Sequence, residues 1–186
     1  IVAVSKASGG VPRPAVASFP SSYNSIRDDY LDGYPEGIKG KVRDEQKNSN
    51  VFDVPDLRVA AEIEADAECT RVAIVLHEGG RRYRFVLPGP GADGDQQTRI
   101  EAVGLDPGLG PDSTYALPKT PLRLGAGKAL EVEVQNLNDL LTLRVDGEEV
   151  ASLEIPPGPR GAESRVTLEV DAPEGHGAVL DDVRIW

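Results

Sequence analysis

The chain has no methionine and one cysteine among its 186 residues, and aromatic residues make up only 5% of it. A lone cysteine, Cys69, excludes an internal disulfide and any zinc site built from thiolates. With so few aromatics, the core must come mainly from Val, Leu, Ile and Ala. Basic residues are also in short supply: 20 Lys and Arg stand against 31 Asp and Glu, a formal net charge of −11. That sign disfavours nucleic-acid phosphates and anionic lipid surfaces alike, so neither is expected as a partner. It reads first as a solvated acidic surface that keeps the protein soluble. No apolar run approaches the roughly 18 residues of a membrane helix, and no signal-peptide pattern is present, so direct membrane insertion by this chain is not expected. The lack of methionine extends to position 1, which leads us to expect a piece of a longer protein whose other parts carry any membrane anchor and active site.

What the chain has in quantity is valine in alternating runs, with 20 Gly and 15 Pro between them. That combination favours short strands joined by turns over long helices. Residues 1–50 differ from the rest. "IVAVSKASGGVPRPAVASFP" turns quickly to Gly and Pro, and "SSYNSIRDDYLDGYPEGIKGKVRDEQKNSN" is polar. This reads as an arm and long loop with at most one short strand, packing on or leading into a domain over 51–186. Its tyrosines, Tyr23, Tyr30 and Tyr34, suit either packing on the domain edge or lining a ligand groove.

From Val54 onward the pattern is periodic. "DLRVAAEIEA" puts Leu57, Val59, Ala61 and Ile63 on one face, and "TRVAIVLHE" does the same with Val72, Ile74 and Leu76. Gly79-Gly80 turns the chain into "RRYRFVLPG", where Tyr83, Phe85 and Leu87 alternate with arginines. "TRIEAVG" is a further short strand. Leu130, Val132 and Val134 define another, and "NLND" turns it into "LLTLRVDGEEVASLEI". There Leu141, Leu143 and Val145 align before Asp146-Gly147, a pair suited to a two-residue type I′ turn. After the turn, Val150 and Leu153 need a slip or bulge to share a face. Val166, Leu168 and Val170 point inward, and Val179, Val183 and Ile185 are expected to do so in the last strand. About nine strands spaced roughly 8–14 residues apart predict an all-β, antiparallel two-sheet sandwich.

The order "ALEVEVQNLNDLLTLRVDGEEV", a Gly/Pro break, then "VLDDVRIW" resembles the laminin G or concanavalin A-like jelly roll over roughly 52–186. The longer succession "DLRVAAEIEAD…LHEGGRRYRFVL…LDDVRIW" is similar to the sandwich inserted in some large bacterial type I signal peptidases. That resemblance implies an extracytoplasmic domain of a membrane-tethered parent, with the peptidase's Ser/Lys site elsewhere. The Ser-Met motif of such peptidases is absent here. Ser5 and Lys6 are adjacent, and on a strand they point to opposite faces.

Candidate chemistry is sparse. His77 and His176 are the only histidines and have no motif around them that requires a triad or a metal. Glu62, Glu64 and Asp66, and Glu131, Glu133 and Gln135, recur at i, i+2, i+4, which on a strand lines up one face at about 6–7 Å spacing. That is near the separations glycosidases use, and "EVEVQ" resembles the acidic cluster of laminarinase-type hydrolases, although its last acid is missing. A charged outer face explains the same alternation. For a metal, the rim loops offer Asp93 and Asp95 in "GADGDQQ", then Asp106, Asp112, Asp181 and Asp182. The resemblance to laminin G domains implies weak calcium at Asp93 and Asp95, if any cofactor is bound. The expected function is therefore non-catalytic recognition or spacing, with a glycan or an envelope protein as partner. The alternative is a glycoside hydrolase or glycan-binding module on the same fold.

Overall fold

A computed structural model of the chain describes residues 2–5, 15–19, 26, 37, 56–105, 114–118, 121–157 and 164–186. The strands are β1 (Val2–Ser5), β2 (Ala15–Phe19), β3 (Leu57–Ala65), β4 (Arg71–Glu78), β5 (Arg81–Pro88) and β6 (Arg99–Val103). They continue with β7 (Thr114–Ala116), β8 (Leu130–Leu137), β9 (Leu140–Val145), β10 (Glu148–Glu154), β11 (Arg165–Asp171) and β12 (Gly177–Ile185). They form two six-stranded sheets, β1-β12-β3-β8-β9-β10 and β2-β11-β4-β5-β6-β7. All ten strand pairings are antiparallel, as the period-2 patterning requires. The result is the jelly-roll sandwich expected from the sequence.

Alternation dictates the layers. Val59, Ala61 and Ile63 of β3, Val132 and Val134 of β8, and Leu141 and Leu143 of β9 face Val72, Ile74, Leu76, Phe85, Leu168 and their neighbours, and all are 0–1% exposed. Burial on this scale from both inner faces supplies most of the driving force for folding. Three hairpins turn through two residues, both at positive φ: Gly79-Gly80 (53°, 85°), Asn138-Asp139 (51°, 64°) and Asp146-Gly147 (50°, 80°). That is the type I′ geometry whose twist matches the flanking strands. The anticipated slip in β10 is a register shift between Glu149 and Ala151, which leaves Val150 unpaired and turns Ala151 and Leu153 to the core side.

Two sequence expectations need amendment. Val179 does not face inward: it lies opposite Glu64 on the outer face and is 42% exposed. Ala178 and Leu180 take the core positions instead, because the register of β12 against β3 is set by Leu180 opposite Ile63. A second bulge, between Asp181 and Arg184 with Asp182 at φ 47°, then resets the alternation. The described residues among the first 50 include two strands rather than at most one, and each extends a different sheet: β1 pairs with β12, and β2 with β11. Tyr23, Tyr30, Tyr34, Asp106 and Asp112 lie outside the described residues.

Candidate functional site: the outer faces of the two sheets

A core built by alternation leaves every other residue pointing outward, so each sheet presents a face whose chemistry the core does not dictate. On the sheet β2-β11-β4-β5-β6-β7, register places Arg84 of β5 opposite Val75 of β4 and Glu101 of β6. Its guanidinium reaches across β4 to Glu169 of β11 at 2.6 Å and contacts Glu101 at 3.4 Å on the other side. Arg99 donates from Nε to Glu101 at 2.5 Å, and Arg71 pairs with Asp171 at 2.7 Å and approaches Glu169 at 3.9 Å. The chain Arg99–Glu101–Arg84–Glu169–Arg71–Asp171 thus alternates in sign across four strands. Its members are only 17–34% exposed. Ala73, Val75 and Val86, also on this outer face, are 0–1% exposed. Long arginine stems commonly cover apolar surface of this kind while their heads stay at the water boundary.

Along the same face, β11, β4 and β5 bring Arg165, His77 and Arg82 into one row. His77 Nε2 lies 2.9 Å from Thr167 Oγ1. Burial holds its pKa down, and the fields of Arg165 and Arg82 push it further, to about 4, against a weaker opposing pull from Glu169. At neutral pH the ring is uncharged.

The other outer face, on β1-β12-β3-β8-β9-β10, carries the paired carboxylates singled out in the sequence. Glu62 lies directly opposite Glu131, and Ala60 opposite Glu133. Glu133 is held by Arg58 and by Arg144 at 3.0 Å. Burial raises its pKa, but the hydrogen bonds from the two guanidinium groups outweigh that and leave it below the ordinary range. Glu131 meets Arg184 at 3.0 Å. A carboxyl kept ionised by two arginines cannot serve as the general acid of a glycosidase, which must hold a proton near neutral pH. Asp66 leaves the strand face altogether. It accepts from the backbone N–H of Gly177 at 2.6 Å and of Glu68 at 3.0 Å, and it pairs with His176 at 3.3 Å. Trp186 continues β12 by two backbone hydrogen bonds with Arg58 (2.8 and 3.0 Å). The Arg58 and Arg184 guanidinium carbons lie 4.6 and 5.9 Å from the centroid of its ring, which is half exposed.

The two histidines are not brought together. His77 lies at the end of the sheet where Arg165 begins β11, and His176 lies beyond the other end of that strand. Seven residues of strand separate the two ends, about 20 Å. At the His77 end, Glu78 enters between the sheets and accepts from Asn136 Nδ2 at 2.7 Å. Burial raises its pKa, with the Asp139 and Asp56 carboxylates adding to the rise and the Asn136 hydrogen bond opposing it. Cys69 is fully buried, and burial pushes its thiol up to about 11, which keeps it protonated and inert.

Asp93 and Asp95 both lie exposed in the β5–β6 loop. The loop folds back on Cys69: Gly89 and Gly91 donate to the carbonyls of Thr70 and Cys69, and a Cβ at Gly89 would stand 2.1 Å from the Cys69 oxygen. Calcium here would need the loop carbonyls, and Arg123 already donates to those of Ala92 (2.8 Å) and Asp93 (2.7 Å). Among the described residues, no group of three or more His, Cys, Asp or Glu is placed to hold a metal. The described oxygens of this loop therefore fall short of the six to eight that a calcium ion takes.

The arginine-rich face does not show in a strand-by-strand reading of the sequence. Its signal was present in "RRYRFVL", "TRIEAV" and "SRVTLEVD", where charged residues occupy the positions between core residues. Only the strand order, which joins β6, β5, β4 and β11, shows that they are neighbours.

No family model matches the chain, and no curated protein matches it. Solved structures of similar shape include a galectin of Caenorhabditis elegans, LEC-6, with 12% identity and TM-score 0.45 over 67% of this chain and 81% of that one. Sheep galectin-11, solved with glycerol, has 12% identity and TM-score 0.46 over 74% and 95%. An alginate lyase, A1-II′, has 12% identity and TM-score 0.49 over 75% and 66%. Identity this low does not carry a ligand or an activity from one chain to another.

Proposed function

We propose that this chain is a non-catalytic recognition module that binds a glycan on the outer face of β2-β11-β4-β5-β6-β7. The observation that carries the reading is the alternating array from Arg99 to Asp171. A sugar hydroxyl both donates and accepts, and this face offers guanidinium donors and carboxylate acceptors side by side, each held in place by the other. Because the array is already ordered, a ligand loses little to fixing it. The non-catalytic part of the reading rests on the opposite face, where Glu133 and Glu131 are tied to arginines.

The resemblance to signal-peptidase insertions adds a setting: an extracytoplasmic domain of a larger, membrane-tethered parent. No described helix is long and apolar enough to cross a membrane, so the tether would belong to other parts of that parent. The full reading frame tests this setting, which requires membrane helices and a Ser/Lys peptidase core in the same frame.

The binding claim is tested on immobilised glycans with the wild type and Arg84→Gln. Retention of one or more glycans, lost in Arg84→Gln at a temperature well below that variant's own unfolding transition, is the expected result. Retention of none, or turnover of a glycan that Glu131→Gln or Glu133→Gln abolishes, would replace this reading with a structural or a hydrolytic one.

A further inference from the structure

The charge on the glycan-binding face is unevenly distributed, and the surplus can be located. Among the described residues, this face carries five arginines (Arg71, Arg82, Arg84, Arg99 and Arg165) and three carboxylates (Glu101, Glu169 and Asp171). The three carboxylates are engaged by Arg71, Arg84 and Arg99. The two arginines left over, Arg82 and Arg165, make no ion pair with any described residue, and both are exposed. They are not scattered: each is the direct cross-strand neighbour of His77, one on either side.

We propose that Arg165, His77 and Arg82 form an anion subsite that takes the carboxylate or sulfate of an acidic sugar residue. This rests on the reading of the face as a glycan-binding surface and names the class of sugar. Two strand spacings put the Cα atoms of Arg165 and Arg82 about 10 Å apart, within the span two arginine side chains can close over a small oxyanion. The guanidinium fork matches carboxylate and sulfate oxygens in pairs, so the geometry favours such groups over a halide. In a chain of net charge −11 such a site is an island of opposite sign. A flexible polyanion would be repelled elsewhere and retained here, with an affinity that falls as salt rises.

His77 gives the site a readable signature. The charged groups that act on it are Arg165 and Glu169 from β11 and Arg82 from β5. The two arginine fields help to keep it neutral, so an anion seated between them relieves that effect and favours the imidazolium. Binding then raises the imidazole's pKa from about 4, and affinity rises as pH falls, most steeply as it nears that value.

The experiment compares an oligogalacturonate with its full methyl ester, the same sugar without charge, and a sulfated oligosaccharide of similar length. Binding is followed by calorimetry and by the His77 ring signals in NMR, with inorganic sulfate as the bare anion. The wild type is expected to bind an acidic oligosaccharide about tenfold or more tightly than the ester, more tightly at pH 5 than at pH 7. The Arg82→Gln/Arg165→Gln double variant, altered only at exposed positions, is expected to melt like the wild type and to bind acid and ester alike. Whether the uronate or the sulfated sugar binds more tightly identifies the source of the anion. If acid and ester bind the wild type equally, and the double variant changes neither, the anion subsite is overturned while the glycan reading stands. If no sugar binds but sulfate shifts the His77 signals, the glycan reading fails and the acidic-sugar ligand fails with it. If neither sugar nor sulfate has any effect, both fail.

Discussion

The two outer faces of the sandwich are made by the same alternation and differ in charge. Among the described residues, β1-β12-β3-β8-β9-β10 presents three arginines (Arg58, Arg144, Arg184) among seven carboxylates (Glu62, Glu64, Glu131, Glu133, Glu149, Glu154, Asp181). The described residues of the other sheet's outer face include five arginines and three carboxylates. The first face follows the acidic bias of the chain, and the second runs against it. Core packing requires only that these positions not be large and apolar; it is indifferent to the sign of their charge. A face that reverses the overall charge, and whose ion pairs are drawn in to 17–34% exposure, is therefore a feature the fold does not need. That is the ground on which the proposed recognition is assigned to this face and not to the more numerous glutamates opposite.

Removing one arginine from each face separates the two most strongly. Arg84→Ala would leave Glu101 and Glu169 half-buried and short of a partner, and should cost about 2–4 kcal/mol in urea unfolding. Arg184→Ala, whose pair with Glu131 is about half exposed on both sides, should cost within about 0.5 kcal/mol. Equal losses would mean that the two faces do not differ in the way described.

Acid acts on Glu133 and Glu78 with opposite signs. The Glu133 carboxyl is depressed by its arginines, so its contribution is present above its unfolded value and is lost as pH falls through its folded pKa. Glu133→Gln should cost about 1 kcal/mol at pH 7 and progressively less below pH 4. Glu78 has the opposite sign. Its pKa is raised, so its contribution is complete below its unfolded value and is lost as pH rises through the folded one. Glu78→Gln keeps an acceptor for Asn136 and should raise Tm by about 2 °C at pH 8, with no change at pH 4. A uniform shift across pH in either variant would assign the effect to packing instead.

The smallest expected effect concerns the rim. About 10 mM calcium should change Tm no more than sodium chloride of equal ionic strength, because Arg123 occupies the carbonyls of Ala92 and Asp93. A calcium-specific rise, lost in Asp93→Asn/Asp95→Asn, would reinstate the metal site.

The sandwich was legible in the sequence because its signal is local. Leu57 to Ile63, Val72 to Leu76 and Tyr83 to Leu87 each show their face without reference to any other strand. The hairpins were legible for the same reason: the conformational demand of a type I′ turn falls on two adjacent residues, such as Asp146 and Gly147. Val179 was misplaced because the β12 bulge at Asp182 is a property of its pairing with β3, not of its own residues. The arginine face was illegible for a related reason. Arg165 lies 88 positions from His77 in the chain and beside it in the sheet, and only strand order brings the two together.

The most direct test of where recognition resides is a map of backbone amide shifts on titrating an oligosaccharide that the protein retains. The expected result is shifts concentrated at Arg71–His77, Arg82–Val86, Arg99–Glu101 and Arg165–Asp171, with Arg58–Glu64 and Glu131–Gln135 unmoved. Shifts centred on Glu62, Glu131 and Trp186, with the arginine-rich sheet silent, would contradict it.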